Sequence, residues 1–327
     1  MTASPHCSPQ ETAASDRFPR TITFSAAYTL VPTYECFNRC TYCNFRVEPG
    51  AEWLSLAAAR QELEAIRDRG VCEILVLSGE VHPRSSRRAQ LIERIYNICE
   101  LALELGFLPH TNAGPLSEAE MQRLKSVNAS MGLMVEQVSD RLLDTVHRRA
   151  PSKVPALRLA QLEQAGRLQI PFTTGILVGV GETIVERQES LQAISAVHAR
   201  YGHIQEIIVQ PYRQGSGQVS NQADARGDEL VETVRLARQI LPEDVAIQIP
   251  PNLTDELKPC LQAGATDLGG ISPVDVVNPD YPHPTVRALT ARLAPNYILR
   301  RRLPLYPHHF DWVSARVRPV LERWQDA

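Results

Sequence analysis

Three cysteines fall within eight positions of one stretch, YECFNRCTYCNF: Cys36, Cys40 and Cys43. Thiolates are ligands for zinc and for iron–sulfur clusters, and the C-x3-C-x2-C spacing puts three of them on one loop. A structural zinc site is closed by four protein ligands, and four cysteines saturate an ordinary iron–sulfur cube. Three thiolates on a four-iron cluster leave one iron without a protein ligand, open to a small chelating molecule. Tyr42, beside Cys43, can lay its ring against such a molecule. A zinc loop that recruits a distant fourth ligand is the alternative for the same spacing. The other four cysteines, Cys7, Cys72, Cys99 and Cys260, are scattered. Cys72 opens an apolar run and Cys99 lies in the helical pattern IERIYNICELALEL, so both read as small buried hydrophobes. Cys7 and Cys260 lack a partner at ligand spacing.

The elements that position this loop are legible as alternation. Short apolar, β-branched runs occur at 28–34, 72–78, 107–112, 130–136, 170–178, 204–210, 245–250 and 267–272. Amphipathic segments lie between them, among them 57–70, 190–202 and 228–241, with apolar residues at helical spacing. APSKVP interrupts the helical pattern between the fourth and fifth runs. Eight strands alternating with helices over roughly 250 residues predict an α/β fold, one (β/α)8 TIM-like barrel. A doubly wound open sheet is the alternative architecture. A barrel of this kind builds its site at the C-terminal ends of its strands, and the cysteine stretch follows the first. The other strand ends carry Ser78-Gly79-Glu80, His110-Thr111-Asn112, Glu136, Gly179-Val180-Gly181-Glu182, Gln210, Asn252 and Ser272. Each taken singly also fits a cap or a turn; together they predict a deep polar pocket.

Composition excludes several classes. The chain has 327 residues, 43% of them hydrophobic, and a net charge of -3. That is enough apolar material for one large domain or two small ones. Mild acidity argues against a nucleic-acid partner, and no apolar run approaches the ~20 residues that span a bilayer. Residues 1–20 lack an apolar core and are rich in Ser, Thr, Ala and Pro. They predict a disordered lead-in and not a secretory signal. Seven cysteines, an odd number, predict a reducing, cytoplasmic setting without a disulfide framework. The basic run Arg300, Arg301, Arg302 reads as a solvated face.

Cys36, Cys40, Tyr42 and Cys43 resemble the C-x3-C-x-aromatic-C signature of the radical S-adenosylmethionine (radical SAM) enzymes. The resemblance implies one 4Fe-4S cluster per chain on Cys36, Cys40 and Cys43, with S-adenosylmethionine chelated to the open iron. It implies a radical SAM core barrel over 21–275 and a C-terminal extension, 276–327, packed against it. Ser78-Gly79-Glu80 is similar to the family's Gly-Gly-Glu, with Ser for the first Gly, and assigns Glu80 to the methionine amino group. Gly175, Leu177, Gly179 and Glu182 match its G-x-[IL]-x-G-x-x-E element near the adenine. Glu136 stands where the family places a ribose contact, and Arg158 is the candidate for the methionine carboxylate.

Longer stretches narrow the resemblance. PHTNAGPLSEAEMQRLKSVNASMGLMVE, APSKVPALRLAQLEQAGRLQIPFTTGILVGVGET, RYGHIQEIIVQPYR and GATDLGGISPVDVVNP are similar to CofG-type subunits of FO synthases. Ala113 stands where those subunits are expected to have Pro, and SGEVHP departs from the usual form. The likeness implies a lyase that closes a tyrosine–uracil adduct into a deazaflavin by way of a 5'-deoxyadenosyl radical. It also implies a CofH-type sister subunit that makes the adduct, and a one-electron donor such as ferredoxin or flavodoxin. Asn112, Gln210 and Asn252 are the favoured contacts to this small-molecule substrate, since an amide both donates to and accepts from a uracil. His110, Tyr212, Arg213, Asp275 and Asn278 also lie at or after strand ends. His110 and Glu206 are candidates for a base, and no catalytic residue is assigned. Arg148, Arg149 and Lys153 fit substrate contact or surface equally. One triad and one barrel predict one of the two radical steps; a fused enzyme would need a second triad and about another barrel's length of chain. The competing readings are another radical enzyme on the same barrel, of the CofH or biotin-synthase type, and a non-catalytic metal-binding scaffold.

Overall fold

The computed structural model describes residues 19–218 and 222–326. Cys7 and nearly all of the predicted lead-in lie outside the described residues. Eight parallel strands run in sequence order: β1 (Arg20–Leu30), β2 (Glu73–Leu77), β3 (Leu108–Asn112), β4 (Ser130–Gly132), β5 (Phe172–Val178), β6 (Ile204–Pro211), β7 (Ala246–Gln248) and β8 (Asp267–Ile271). β1 pairs with both β2 and β8, which closes the barrel and removes its edges. The connections carry α1 (Leu56–Ile66), α2 (Arg88–Glu104), α3 (Glu118–Lys125), α4 (Pro155–Arg167), α5 (Ile184–Tyr201), α6 (Gly227–Ile240) and α7 (Leu257–Ala263). α8 (Val286–Leu293), a ninth strand β9 (Tyr297–Arg302) and α9 (Arg318–Gln325) follow.

Helix starts follow their caps. Ser117 with Glu120 and Thr183 with Glu186 form reciprocal capping boxes that start α3 and α5. The box at Thr183 is why α5 begins six residues before the apolar pattern at 190. One continuous apolar core joins the outward faces of the strands to the helices, with Ile22, Ile74, Leu108, Phe172 and Ile207 in it. No helix among the described residues is long and apolar enough to cross a membrane.

Three features differ from the sequence reading. β1 begins at Arg20 and ends at Leu30, ahead of the 28–34 run, because the chain turns away before Pro32 and enters the cysteine loop. β4 stops at Gly132 and does not reach 136. Glu136 has φ 68, a left-handed backbone that breaks the ladder and leaves a single bridge to Ile176. β9 was not anticipated, since its arginines disguise it. It pairs in parallel with the N-terminal half of β1, over Arg20–Ser25, below the point where β2 begins. The chain then crosses the bottom of the barrel. Pro304 O accepts from Ser130 Oγ at 2.5 Å and from Gln205 Nε2 at 3.0 Å, which ties this crossing to β4 and β6.

Candidate functional site

The cysteine loop is held by backbone on three sides. Cys36 N donates to Val47 O (3.3 Å), Thr41 N to Val146 O (3.1 Å) and Arg39 N to Arg149 O (2.7 Å). Asn38 makes a two-way clasp with Ser152: its Nδ2 donates to Ser152 Oγ at 2.8 Å, and its Oδ1 accepts from Ser152 N at 3.1 Å. Phe37 N donates to Glu80 O (2.9 Å), so the loop and the end of β2 are fixed to each other. Gly79 allows this contact, because a Cβ there would stand 2.2 Å from Glu35 O. Ser78 is accommodated where the resemblance leads to Gly: its hydroxyl turns back onto Gly79 O at 2.9 Å.

A cavity of about 370 Å3 occupies the barrel interior, a size suited to small-molecule sites. Cys36, Cys40, Tyr42, Cys43, Glu80, Glu136 and Arg158 line it at the loop end, with Asn112, Gln210 and Asn252 further along its wall. Gly179 and Glu182 are not among the lining residues. The Glu182 carboxylate accepts from Gly179 N (2.7 Å), Val180 N (2.8 Å) and Arg187 Nε (2.6 Å), so it shapes the loop after β5 from behind.

The charged groups at the loop end are interlocked. Arg158, almost wholly buried, donates to Glu80 Oε1 (3.0 Å), Met134 O (2.7 Å) and Ser152 O (3.0 Å), and stands 3.8 Å from Glu136. Lys153 pairs with Glu136 and also lines the cavity. Arg148 and Arg149 are exposed. Burial opposes ionisation of Glu136, yet Lys153 and Arg158 outweigh it and hold its carboxyl below the usual range. Glu80 differs: its Oε2 is buried and has no partner. Gly114 makes room for this side chain, since a Cβ there would lie 2.4 Å from Glu80 Cγ. Burial pushes the Cys40 thiol up to about 12, and raises that of Cys36 with help from the nearby Glu80. Tyr42 packs edge-on to His147, with its hydroxyl 2.9 Å from His147 Nε2.

These groups fit a cluster carrying a zwitterionic ligand. Buried thiols give up protons to a metal that replaces the charge. Among the described residues no three His, Cys, Asp or Glu side chains are grouped as ligands of a single ion, and a cluster's ligands sit on separate irons. The bare Glu80 oxygen beside the thiols is an acceptor awaiting a donor, as an ammonium group provides.

The far end of the cavity, at the strand starts, holds groups the sequence reading missed. Glu73, Gln248 and Arg302 line it with His110 and Glu206. Arg302 is thus not on a solvated face, unlike the exposed Arg300 and Arg301. Its guanidinium donates to Asp267 Oδ2 (2.6 Å) and Oδ1 (2.8 Å) and to Glu206 Oε1 (2.9 Å). Burial and the neighbouring Asp267 push the Glu206 carboxyl well up despite Arg302. Burial also opposes ionisation of Asp267, but Arg302 wins and holds it low. On the wall, Asn252 Nδ2 donates to Asp275 and Tyr281 O, both at 2.8 Å, leaving its Oδ1 buried and unpartnered. His283, which no sequence pattern flagged, lines the cavity near Asp275.

A family model described as the Radical SAM superfamily matches residues 30–194. The chain is 57% identical over 309 residues to the 7,8-didemethyl-8-hydroxy-5-deazariboflavin synthase of Trichormus variabilis, covering 93% of this chain and 91% of that one. It is also 57% identical over 304 residues to the protein of the same name from Gloeobacter violaceus, covering 92% and 95%. Among solved structures, HydG, a maturase of the FeFe-hydrogenase, superposes with a TM-score of 0.72 at 15% identity, over 91% of this chain and 68% of that one. Methylornithine synthase gives 0.63 at 18% identity, over 84% and 81%. At those identities the two structures speak for the barrel alone.

Proposed function

The chain belongs to the radical SAM superfamily and, within it, to the 7,8-didemethyl-8-hydroxy-5-deazariboflavin synthases, and from that premise we propose how its residues serve the reaction. It is a radical SAM carbon–nitrogen lyase that converts 5-amino-5-(4-hydroxybenzyl)-6-(D-ribitylimino)-5,6-dihydrouracil to 7,8-didemethyl-8-hydroxy-5-deazariboflavin (FO). Ammonia, methionine and 5'-deoxyadenosine are released. Its cofactors are a 4Fe-4S cluster and S-adenosylmethionine.

Cys36, Cys40 and Cys43 hold the cluster, which when bound supplies the electron for reductive cleavage of S-adenosylmethionine. Glu80 takes the methionine ammonium on its free Oε2 while Arg158 holds Oε1. Arg158 has most of its donors committed to Glu80, Met134 O and Ser152 O, so Lys153 joins it as a cation for the methionine carboxylate. Glu136, strained into a left-handed conformation and paired with Lys153, is aimed at the ribose. Glu182 acts indirectly, by fixing the Gly179–Val180 turn beside the adenine, and Tyr42 packs over the cluster end. Asn112, Gln210 and Asn252 contact the substrate, Asn252 through its open Oδ1. The barrel (21–275) encloses the reacting carbon radical; within the extension (276–327), Asp280 meets Asn44 beside the cysteine loop, and the crossing after β9 closes the opposite end. Enclosure matters because a primary carbon radical would otherwise meet solvent.

The observation that carries this reading is the unpartnered, buried Glu80 oxygen in the same cavity as the three thiols. The test is direct: reconstitute the protein anaerobically and titrate it with S-adenosylmethionine, with and without intact Cys36, Cys40 and Cys43. Binding that survives loss of the triad would contradict it. A CofH-type sister subunit supplying the adduct, a one-electron donor such as ferredoxin or flavodoxin, and a cytoplasmic setting complete the proposal. Its support is the single cysteine triad in a chain whose overall product requires two radical steps.

A further inference from the structure

His110 sits in the middle of β3 and lines the cavity toward the strand-start end. Its Nδ1 is 2.7 Å from Ser130 Oγ. Ser130 has one hydroxyl hydrogen, and that hydrogen is committed to Pro304 O at 2.5 Å, on the segment that crosses the barrel bottom. Ser130 Oγ can therefore only accept from the ring. Nδ1 carries the hydrogen, and Nε2 is left with a lone pair. Among the described residues the bond at Nδ1 is the hydrogen bond His110 makes. The neighbouring position on β4 is Gly132, whose missing side chain leaves this nitrogen accessible: a Cβ there would stand 2.8 Å from Nε2.

We propose that His110 Nε2 is a specificity-determining acceptor that receives a hydrogen bond from a neutral O–H or N–H donor of the substrate. This rests on the assignment of the tyrosine–uracil adduct as substrate and deepens it. The relay Nδ1–H to Ser130 to Pro304 O fixes the tautomer, so the ring selects for a donor and against an acceptor at that point. Burial, with Arg302 nearby, brings the imidazole down to about 3, so the lone pair persists across the working pH range. The other polar groups at this end contrast with it. Arg302 only donates, it engages oxygens of Glu206 and Asp267, and Glu73 and Gln248 carry side-chain oxygens, so what distinguishes His110 is a neutral ring acceptor whose tautomer is fixed. Three parts of the adduct have that chemistry: the phenol O–H, a uracil ring N–H and the ribityl hydroxyls.

The experiment uses the cluster-loaded protein with S-adenosylmethionine bound and no reductant, so that binding is read without turnover. Titration with the adduct is compared for the wild type, His110→Phe and His110→Gln. Phe keeps the ring's shape and leaves Ser130 bonded to Pro304 O; Gln restores an acceptor. The expected result is adduct binding weakened about tenfold or more in His110→Phe, as befits an unmade buried hydrogen bond, with partial recovery in His110→Gln and unchanged S-adenosylmethionine affinity. Two adduct analogues separate the sources. If the partner is the phenol, a benzyl analogue without the hydroxyl binds wild type and His110→Phe alike. If it is the uracil, the analogue methylated on the ring nitrogen does so. Nitrogen-15 NMR of the histidine-labelled wild type reads the tautomer independently of any variant and should show Nε2 unprotonated. If both analogues lose affinity to the same extent as the adduct, the partner is a ribityl hydroxyl; the inference is overturned by a protonated Nε2 or by equal adduct affinity in His110→Phe. Failure of the wild type itself to bind the adduct would instead overturn the substrate assignment, and this inference with it.

Discussion

Glu80 presents one carboxylate oxygen to Arg158 and keeps the other bare and buried, an arrangement that costs stability unless a ligand completes it. Glu80→Gln should weaken S-adenosylmethionine binding by about tenfold or more, since a charge-assisted hydrogen bond is worth about 1.5–3 kcal/mol. Unchanged affinity in a direct titration would remove Glu80 from the site. Single changes of Cys36, Cys40 or Cys43 to Ala should abolish the visible absorbance of the reconstituted cluster. Cys72→Ala, Cys99→Ala and Cys260→Ala should leave it intact, since all three side chains are fully buried and none lines the cavity. Loss of iron in any of these last three would refute the three-ligand assignment. At this scale much was legible. The spacing of the triad and the strand-end positions of Glu80, Glu136, Asn112, Gln210 and Asn252 placed them in one cavity. Lys153 was left between substrate contact and surface, and Glu73 and His283 were not singled out, because what makes them part of the site is a contact across the barrel that leaves no local pattern in the chain.

Elements hold these residues through a few buried ion pairs. The loop after β5 depends on Glu182, whose carboxylate takes two backbone amides and the buried Arg187. Glu182→Ala strands that guanidinium and should destabilise the fold by about 3–5 kcal/mol, measured by chemical denaturation. A loss below about 1 kcal/mol, the range of a surface pair, would contradict this role. β9 places Arg302 under the barrel against Asp267 and Glu206. Arg302→Met should cost about 3–5 kcal/mol at neutral pH. Asp267 is held below the ordinary carboxylate range, so its contribution is present above that range and is lost as pH falls through the folded value. The penalty of Arg302→Met should therefore shrink as pH drops below about 4, and a penalty that grows there would contradict the pairing. The sequence misled here for a physical reason. Three consecutive arginines have the composition of a solvated face; alternation puts Arg300 and Arg302 on the same side of β9, but only Arg302, at the strand's end, reaches the cavity, while Arg300 and Arg301 stay exposed. The left-handed Glu136 that shortens β4 was equally invisible, since an apolar run does not announce where its ladder breaks.

At the scale of the molecule, the barrel presents one polar cavity with the cysteine loop at one end and the arginine-bearing crossing at the other. Eight-fold alternation of strand and helix patterns made this architecture readable. The bottom closure was not, because it is made by a segment remote in sequence from the strands it covers. One triad in one barrel is a single radical site, so the account assigns this chain the closing step alone. Anaerobic turnover of the reconstituted protein with S-adenosylmethionine and a reductant tests that most directly, with product read by mass and by deazaflavin fluorescence. Offered the preformed tyrosine–uracil adduct, it should yield FO; offered free tyrosine and the ribityl-aminouracil without a sister subunit, it should yield none. FO from free tyrosine, or no FO from authentic adduct despite an intact cluster, would contradict the account.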